Sequence, residues 1–85
     1  MEDNVIHKLM LYNDEHNSFP YVMACLIRFC KHEPLQAEQC ALLVHLNGHC
    51  SVKSGDFIEL SGLSENLSNL DLNVSIEEYE SNMYW

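Results

Sequence analysis

Asn13, Asp14 and Glu15 stand side by side in a stretch, Asn13 to Ser18, that holds no apolar residue. Two carboxylates and an amide make an acceptor-rich cluster, which suits a bound ammonium or guanidinium group. It is not a calcium loop, because the alternating oxygens and bidentate glutamate of an EF-hand are missing. His45 is the second side chain with chemistry to offer. It lies one helical turn beyond Ala41 and beside Val44. A polar ring there would edge an apolar helix face, at the mouth of a hydrophobic pocket. His45, His49 and Cys50 form the best grouping for a metal ion.

Other chemistries find less support. Cys25, Cys30, Cys40 and Cys50 follow one another at gaps of five, ten and ten residues. Structural zinc sites bring their ligands in as close pairs, and no C-x-x-C occurs. Cys25 and Cys40 fall on apolar helical stripes, where a free thiol behaves as a small hydrophobe. None of the eight serines lies in a G-x-S-x-G elbow. Cys30 or Cys40 with a histidine and Asp14 could be drawn as a triad, but triads are defined by geometry, not by order in the chain. Three glycines, in neither G-x-x-x-x-G-K-[ST] nor G-x-G-x-x-G, are too few for a phosphate cradle. No enzyme is expected, and no cofactor.

The chain has 85 residues, the length of one domain, expected to span residues 1–85. Hydrophobic residues make up 47%, so a core can form. Four Lys and Arg against thirteen Asp and Glu give a net charge of −9. That excludes a phosphate-backbone partner, which needs basic clusters, and fits a cationic ligand or a basic partner surface. The basic residues Lys8, Arg28, Lys31 and Lys53 all precede Ser54, and seven acidic residues follow it with no basic one. This acidic third reads as solvated surface or a docking face. The acidic start Met1-Glu2-Asp3-Asn4 has no basic n-region, and no apolar run approaches a membrane span. A cytosolic protein with reduced cysteines is expected.

These residues need elements to hold them. Val5 to Tyr12 reads as a strand, and Asn13 to Ser18 as a loop. Phe19 to Lys31 reads as a helix capped by Asn17 or Ser18, with Val22, Cys25, Leu26 and Phe29 as its buried stripe. A second helix starts at Pro34, buries Ala37, Cys40, Ala41 and Val44, and ends before Gly48. Cys50 to Val52 predicts a short strand, and Gly55-Asp56 a turn. Phe57 to Leu72 carries Leu60, Leu63, Leu67 and Leu70 at helical spacing, interrupted by Gly62. Val74 to Tyr79 alternates as an edge strand. Residues 1–4 are expected to form a short tail and residues 81–85 a frayed one. The order β-α-α-β-α-β predicts an α+β domain, with three helices on one face of a three-stranded antiparallel sheet.

Leu11-Tyr12-Asn13-Asp14-Glu15, Phe19, Tyr21-Val22, Ala37, Val44-His45 and Gly48 together resemble the ClpS family, adaptors of the bacterial AAA+ Clp protease. That family shows an N-D-D loop after its first strand, a helix start T-P-M-E-F-V, and an A…V-H-x-x-G helix. The likeness runs from Ile6 to Gly55 at constant spacing and extends more loosely to Ile76-Glu77. It implies three helices on a three-stranded antiparallel sheet. It also implies a non-catalytic adaptor that binds proteins beginning with Leu, Phe, Tyr or Trp and delivers them to the N-terminal domain of a Clp ATPase unfoldase. The adaptor is expected to be monomeric and cytoplasmic, and to act without nucleic acid or membrane. Carried over by position, Asn13, Glu15 and His45 would hold the substrate's α-ammonium, and Asp14 would support the loop and its negative field. Phe19, Val22, Ala41, Val44 and Leu72 would line the side-chain pocket.

The chain departs from the family pattern at defined positions. Glu15 replaces an Asp, while Phe19 and Ala41 stand where Met is usual, so the pocket floor is remodelled. About four residues precede the first strand, where the family has a longer disordered extension. The family's A-E-T-K stretch has no clear counterpart in Glu59 to Leu63. The resemblance thus implies binding more directly than delivery. Two other readings remain: an acidic interaction module of the same fold, docking a basic partner through residues such as Glu77 and Glu78, and a small metalloprotein using His45, His49 and Cys50.

Overall fold

Six elements follow in the order β1 (Val5–Tyr12), α1 (Phe19–Phe29), α2 (Pro34–Asn47), β2 (His49–Gly55), α3 (Phe57–Asn69) and β3 (Asn73–Glu80). The structure, a computed structural model, describes residues 5–80. The tails expected at residues 1–4 and 81–85 lie outside the described residues. β1 is the central strand of a β2-β1-β3 sheet and pairs antiparallel with both neighbours. The helices pack on one face of this sheet, which is the α+β arrangement expected from the element order.

Alternation along β1 sorts its side chains between the two faces. Leu9 and Leu11 turn toward the helices and are almost fully buried, against Leu26 of α1 and Leu60 and Leu67 of α3. Each such leucine contributes roughly 1.5–3 kcal/mol by leaving water. Helix α2 buries Ala37, Cys40, Ala41 and Val44, mostly small side chains, which lets its backbone approach the core closely. The other face of the sheet carries Lys8, Tyr12, Glu77 and Tyr79. There Lys8 lies 5.0 Å from the centre of the Tyr79 ring.

The element ends were less legible than the elements. Helix α1 stops at Phe29 instead of Lys31, because Lys31 adopts φ +59°, outside the helical region. Helix α3 stops at Asn69 instead of running to Leu72. Asp71 there takes φ +70°, its N–H donates to the Ser68 carbonyl at 3.0 Å, and the Leu72 N–H donates to Leu67 at 3.1 Å. This is a left-handed helix stop in which aspartate takes the place usual for glycine. Strand β2 covers His49–Gly55, more than the expected Cys50 to Val52, since the whole edge of β1 from His7 to Tyr12 recruits it. Strand β3 gains one residue at each end for the same reason.

A bulge marks β2. Leu9 pairs with Lys53 and Met10 with Ser51, so Val52 has no partner across the ladder. Its carbonyl instead accepts the Nε2–H of His32, at 2.8 Å, from the loop between α1 and α2. His32 is buried, and its Nδ1 has no hydrogen-bond partner among the described residues. The ring is therefore a buried clamp between the helical layer and the strand. Replacing His32 by Leu removes that donor and leaves the Val52 carbonyl unpaired. Urea unfolding should report a loss of about 1–3 kcal/mol. Gly62, by contrast, is exposed within α3, and a Cβ built there meets nothing within 4 Å. Gly62→Ala should stabilise the protein by up to about 1 kcal/mol in the same measurement.

Candidate functional site

The polar loop after β1 folds around one carboxylate. Asp14 Oδ1 accepts the backbone N–H groups of His16 at 2.9 Å and Asn17 at 3.1 Å. The Asn17 side-chain amide donates to both Asp14 oxygens, and also to the carbonyl of Asp71 at 2.9 Å. Asp14 is thus occupied in shaping the loop, through the local bonding that favours Asp and Asn in turns. Ser18 then caps α1, its hydroxyl accepting the Tyr21 N–H at 3.2 Å. Asn17, the other candidate cap, is used for the loop instead.

Three bonds bring this loop to its neighbours. The Asn13 N–H donates to the Gly48 carbonyl at 2.9 Å, docking the end of β1 on the end of α2. Gly48 adopts φ +96°, a conformation that strains other residues, and its own N–H returns to Val44 at 2.9 Å. His45 sits in that last turn of α2 and is exposed. On the far side, Asn17 and the Tyr21 hydroxyl bond the carbonyls of Asp71 and Leu70, the latter at 2.8 Å. These bonds hold the loop and α1 against the end of α3, where Leu72 turns into the core.

The result is a pocket that encloses about 410 Å³ of empty space, its open mouth included. Its polar rim is Asn13, Asp14, Asn17 and His45. Its walls include Phe19 and Val22 of α1, Ala41 and Val44 of α2, and Leu72 after α3, and Leu11 and Tyr12 at the end of β1 also line it. The residues expected from the sequence therefore meet in one place, except Glu15. Glu15 is exposed and lines an adjoining open groove with Asn13, Asp14, Asn17, Phe19 and His45. Asn17, Leu11 and Tyr12 line the pocket without having been expected there. Only Asn17 carried a signal, as an amide in a loop that already held a candidate site.

Chemically, the rim offers oxygen acceptors and an imidazole beside an apolar interior. Such a site suits a ligand with one cationic end and one bulky apolar group.

Two other readings fare differently. Among the described residues no three His, Cys, Asp or Glu side chains group to hold a metal ion, so His45, His49 and Cys50 do not converge. Glu77 and Glu78 do not form one acidic docking face, because consecutive strand residues point to opposite sides of a sheet. Glu77 accepts the hydroxyls of Tyr12, of Tyr79 at 2.9 Å and of Ser75 at 3.3 Å on the open face. Glu78 lies 3.7 Å from His7 on the other side. Among the described residues no helix is long and apolar enough to cross a membrane.

The four cysteines are free thiols. Burial pushes the Cys30 thiol up to about 11 and raises those of Cys25 and Cys40 as well. A raised thiol pKa means little thiolate at neutral pH and low reactivity. Ellman's reagent should therefore titrate the half-buried Cys50 first, and the other three only after denaturation. Cys50→Ser should abolish the fast phase.

Residues 2–73 match the model of a family described as ATP-dependent Clp protease adaptor protein ClpS. No curated protein matches the sequence. Among solved structures, the fold is similar to Agrobacterium tumefaciens ClpS2 bound to L-phenylalaninamide. The TM-score is 0.84 at 16% sequence identity, over 91% of this chain and all of that one.

Proposed function

The chain belongs to the ClpS family of ATP-dependent Clp protease adaptors, and on that premise we propose that it binds proteins through a bulky hydrophobic first residue and passes them to a Clp ATPase. The observation that carries this reading is the single pocket in which Asn13 and His45 edge the apolar walls formed by Phe19, Val22, Ala41, Val44 and Leu72. The ligand of the Agrobacterium protein has the same two ends, an α-amino group and a phenyl ring.

A free N-terminus differs from an internal residue by one ammonium with three donors. Asn13 Oδ1 and an unprotonated ring nitrogen of His45 would accept two of them, each charge-assisted bond being worth roughly 1.5–3 kcal/mol. Asp14 would hold the loop in register and add negative potential. Glu15, in the adjoining groove, would add long-range attraction for the ammonium. The first side chain would then enter the apolar walls and gain about 25 cal/mol for each Å² removed from water. No group in this account performs covalent chemistry. The adaptor is the substrate's carrier and the partner ATPase supplies the work.

Fluorescence anisotropy with peptides beginning in Phe, Leu, Tyr or Trp tests the binding step. Saturable binding is expected, and N-acetylation should remove it. His45→Ala should weaken it at least about tenfold, or 1.4 kcal/mol, whereas Glu38→Ala on the outward side of α2 should leave it unchanged. Equal affinity for free and acetylated peptides would refute the proposal. Delivery is tested separately, by the rate at which a Clp ATPase and its peptidase degrade a Phe-initiated reporter with and without the chain.

A further inference from the structure

Helix α2 is apolar on two opposite sides. One side, Ala37, Cys40, Ala41 and Val44, is buried in the core. On the other, Leu35 and Leu46 are each 67% exposed and Leu42 is 40% exposed. Leu35, Gln39, Leu42 and Leu46 are spaced four, three and four residues apart. At 100° per residue these four positions fall on one line along the helix, directly away from the core. Leu43, 43% exposed, widens the line on one side. An exposed apolar stripe ordinarily marks an interaction surface, yet this outer line has no partner among the described residues.

We infer that the outer line of α2 is a docking seam for an amphipathic helix of another protein, one whose apolar stripe is bordered by Lys or Arg. The spacing selects a helix as the occupant. Alternating steps of four and three residues let a second helix lay its own side chains between these leucines at a shallow crossing angle. Charge selects the flanks. The seam is bordered by Glu38 and His45 on one side and by Gln36 and Asn47 on the other, and α2 contains no Lys or Arg. The whole chain carries −9, which draws a basic helix in and opposes a second copy of the same chain. The seam lies on a different side of α2 from the pocket walls Ala41 and Val44, with the rim residue His45 between the two. The inference stands independently of the proposed function.

The probe is a synthetic helix of about four turns with leucines along one seam and lysines on both flanks. It is N-acetylated so that it presents no α-ammonium to the pocket, and it is compared with the same peptide carrying glutamates on the flanks. Anisotropy should show the lysine peptide binding at least about tenfold more tightly and weakening as salt is added. Leu46→Glu should reduce that binding at least as much, with an unchanged thermal midpoint. If Leu46→Glu lowers the midpoint, Leu35→Gln at the other end of the seam is judged by the same criteria. No binding of the lysine peptide, equal binding of both peptides, or binding indifferent to the seam substitution would overturn the inference. So would sedimentation showing a dimer of the chain alone that Leu46→Glu dissolves, because the occupant would then be a second copy.

Discussion

Asn13 leaves the central strand with its amide bonded to the carbonyl of Gly48, 2.9 Å away, and the site depends on that junction. Gly48 can offer its carbonyl there because it ends α2 in a left-handed conformation, φ +96°. Its N–H meanwhile completes the last turn through Val44. One bond thus sets the polar loop beside His45, while the next residue, His49, enters β2 and pairs with Tyr12. A side chain at position 48 would strain this conformation. The loop, the helix end and the strand start would then lose their common anchor.

The opposite wall is held by similar means with different atoms. The last carbonyls of any helix lack partners within it. At the end of α3, backbone N–H groups of Asp71 and Leu72 bond back to Ser68 and Leu67, while Tyr21 and Asn17 bond the carbonyls of Leu70 and Asp71. Unsatisfied carbonyls of one helix become the attachment points for the loop and helix that face it. Asn17 joins the two systems, since the same amide also grips Asp14. The pocket rim is thus shaped by local hydrogen bonds, and its width is set by tertiary ones.

The net charge resolves into unlike parts in three dimensions. Asp14 is spent on the loop, and Glu15 faces the groove next to the pocket. Glu77 is held by hydroxyls on the open face of the sheet, and Glu78 sits across from His7 on the other. Asp56 caps α3, its carboxylate accepting the Glu59 N–H at 2.8 Å. What reads along the chain as one acidic third is, in the fold, caps, clamps and scattered surface. Among the described residues no single acidic face emerges from it.

The periodic parts of this protein were legible in its residues, because strand and helix patterns depend on near neighbours. Six elements, their order and the buried stripes of α1 and α2 follow from spacings of two and of three to four. The loop acceptors and His45 could be named from residue type and from their match to a family pattern. The ends of α1 and α3 could not. They depend on Lys31 and Asp71 adopting positive φ, which neither residue type advertises. The bulge at Val52 and the buried ring of His32 that answers it come from different parts of the chain and make sense only together. The position of Glu15 in the groove, the bridging role of Asn17 and the uncovered leucine line of α2 likewise required the packed structure. Each depends on which distant backbone groups are left without partners, and that is settled only when the layers meet.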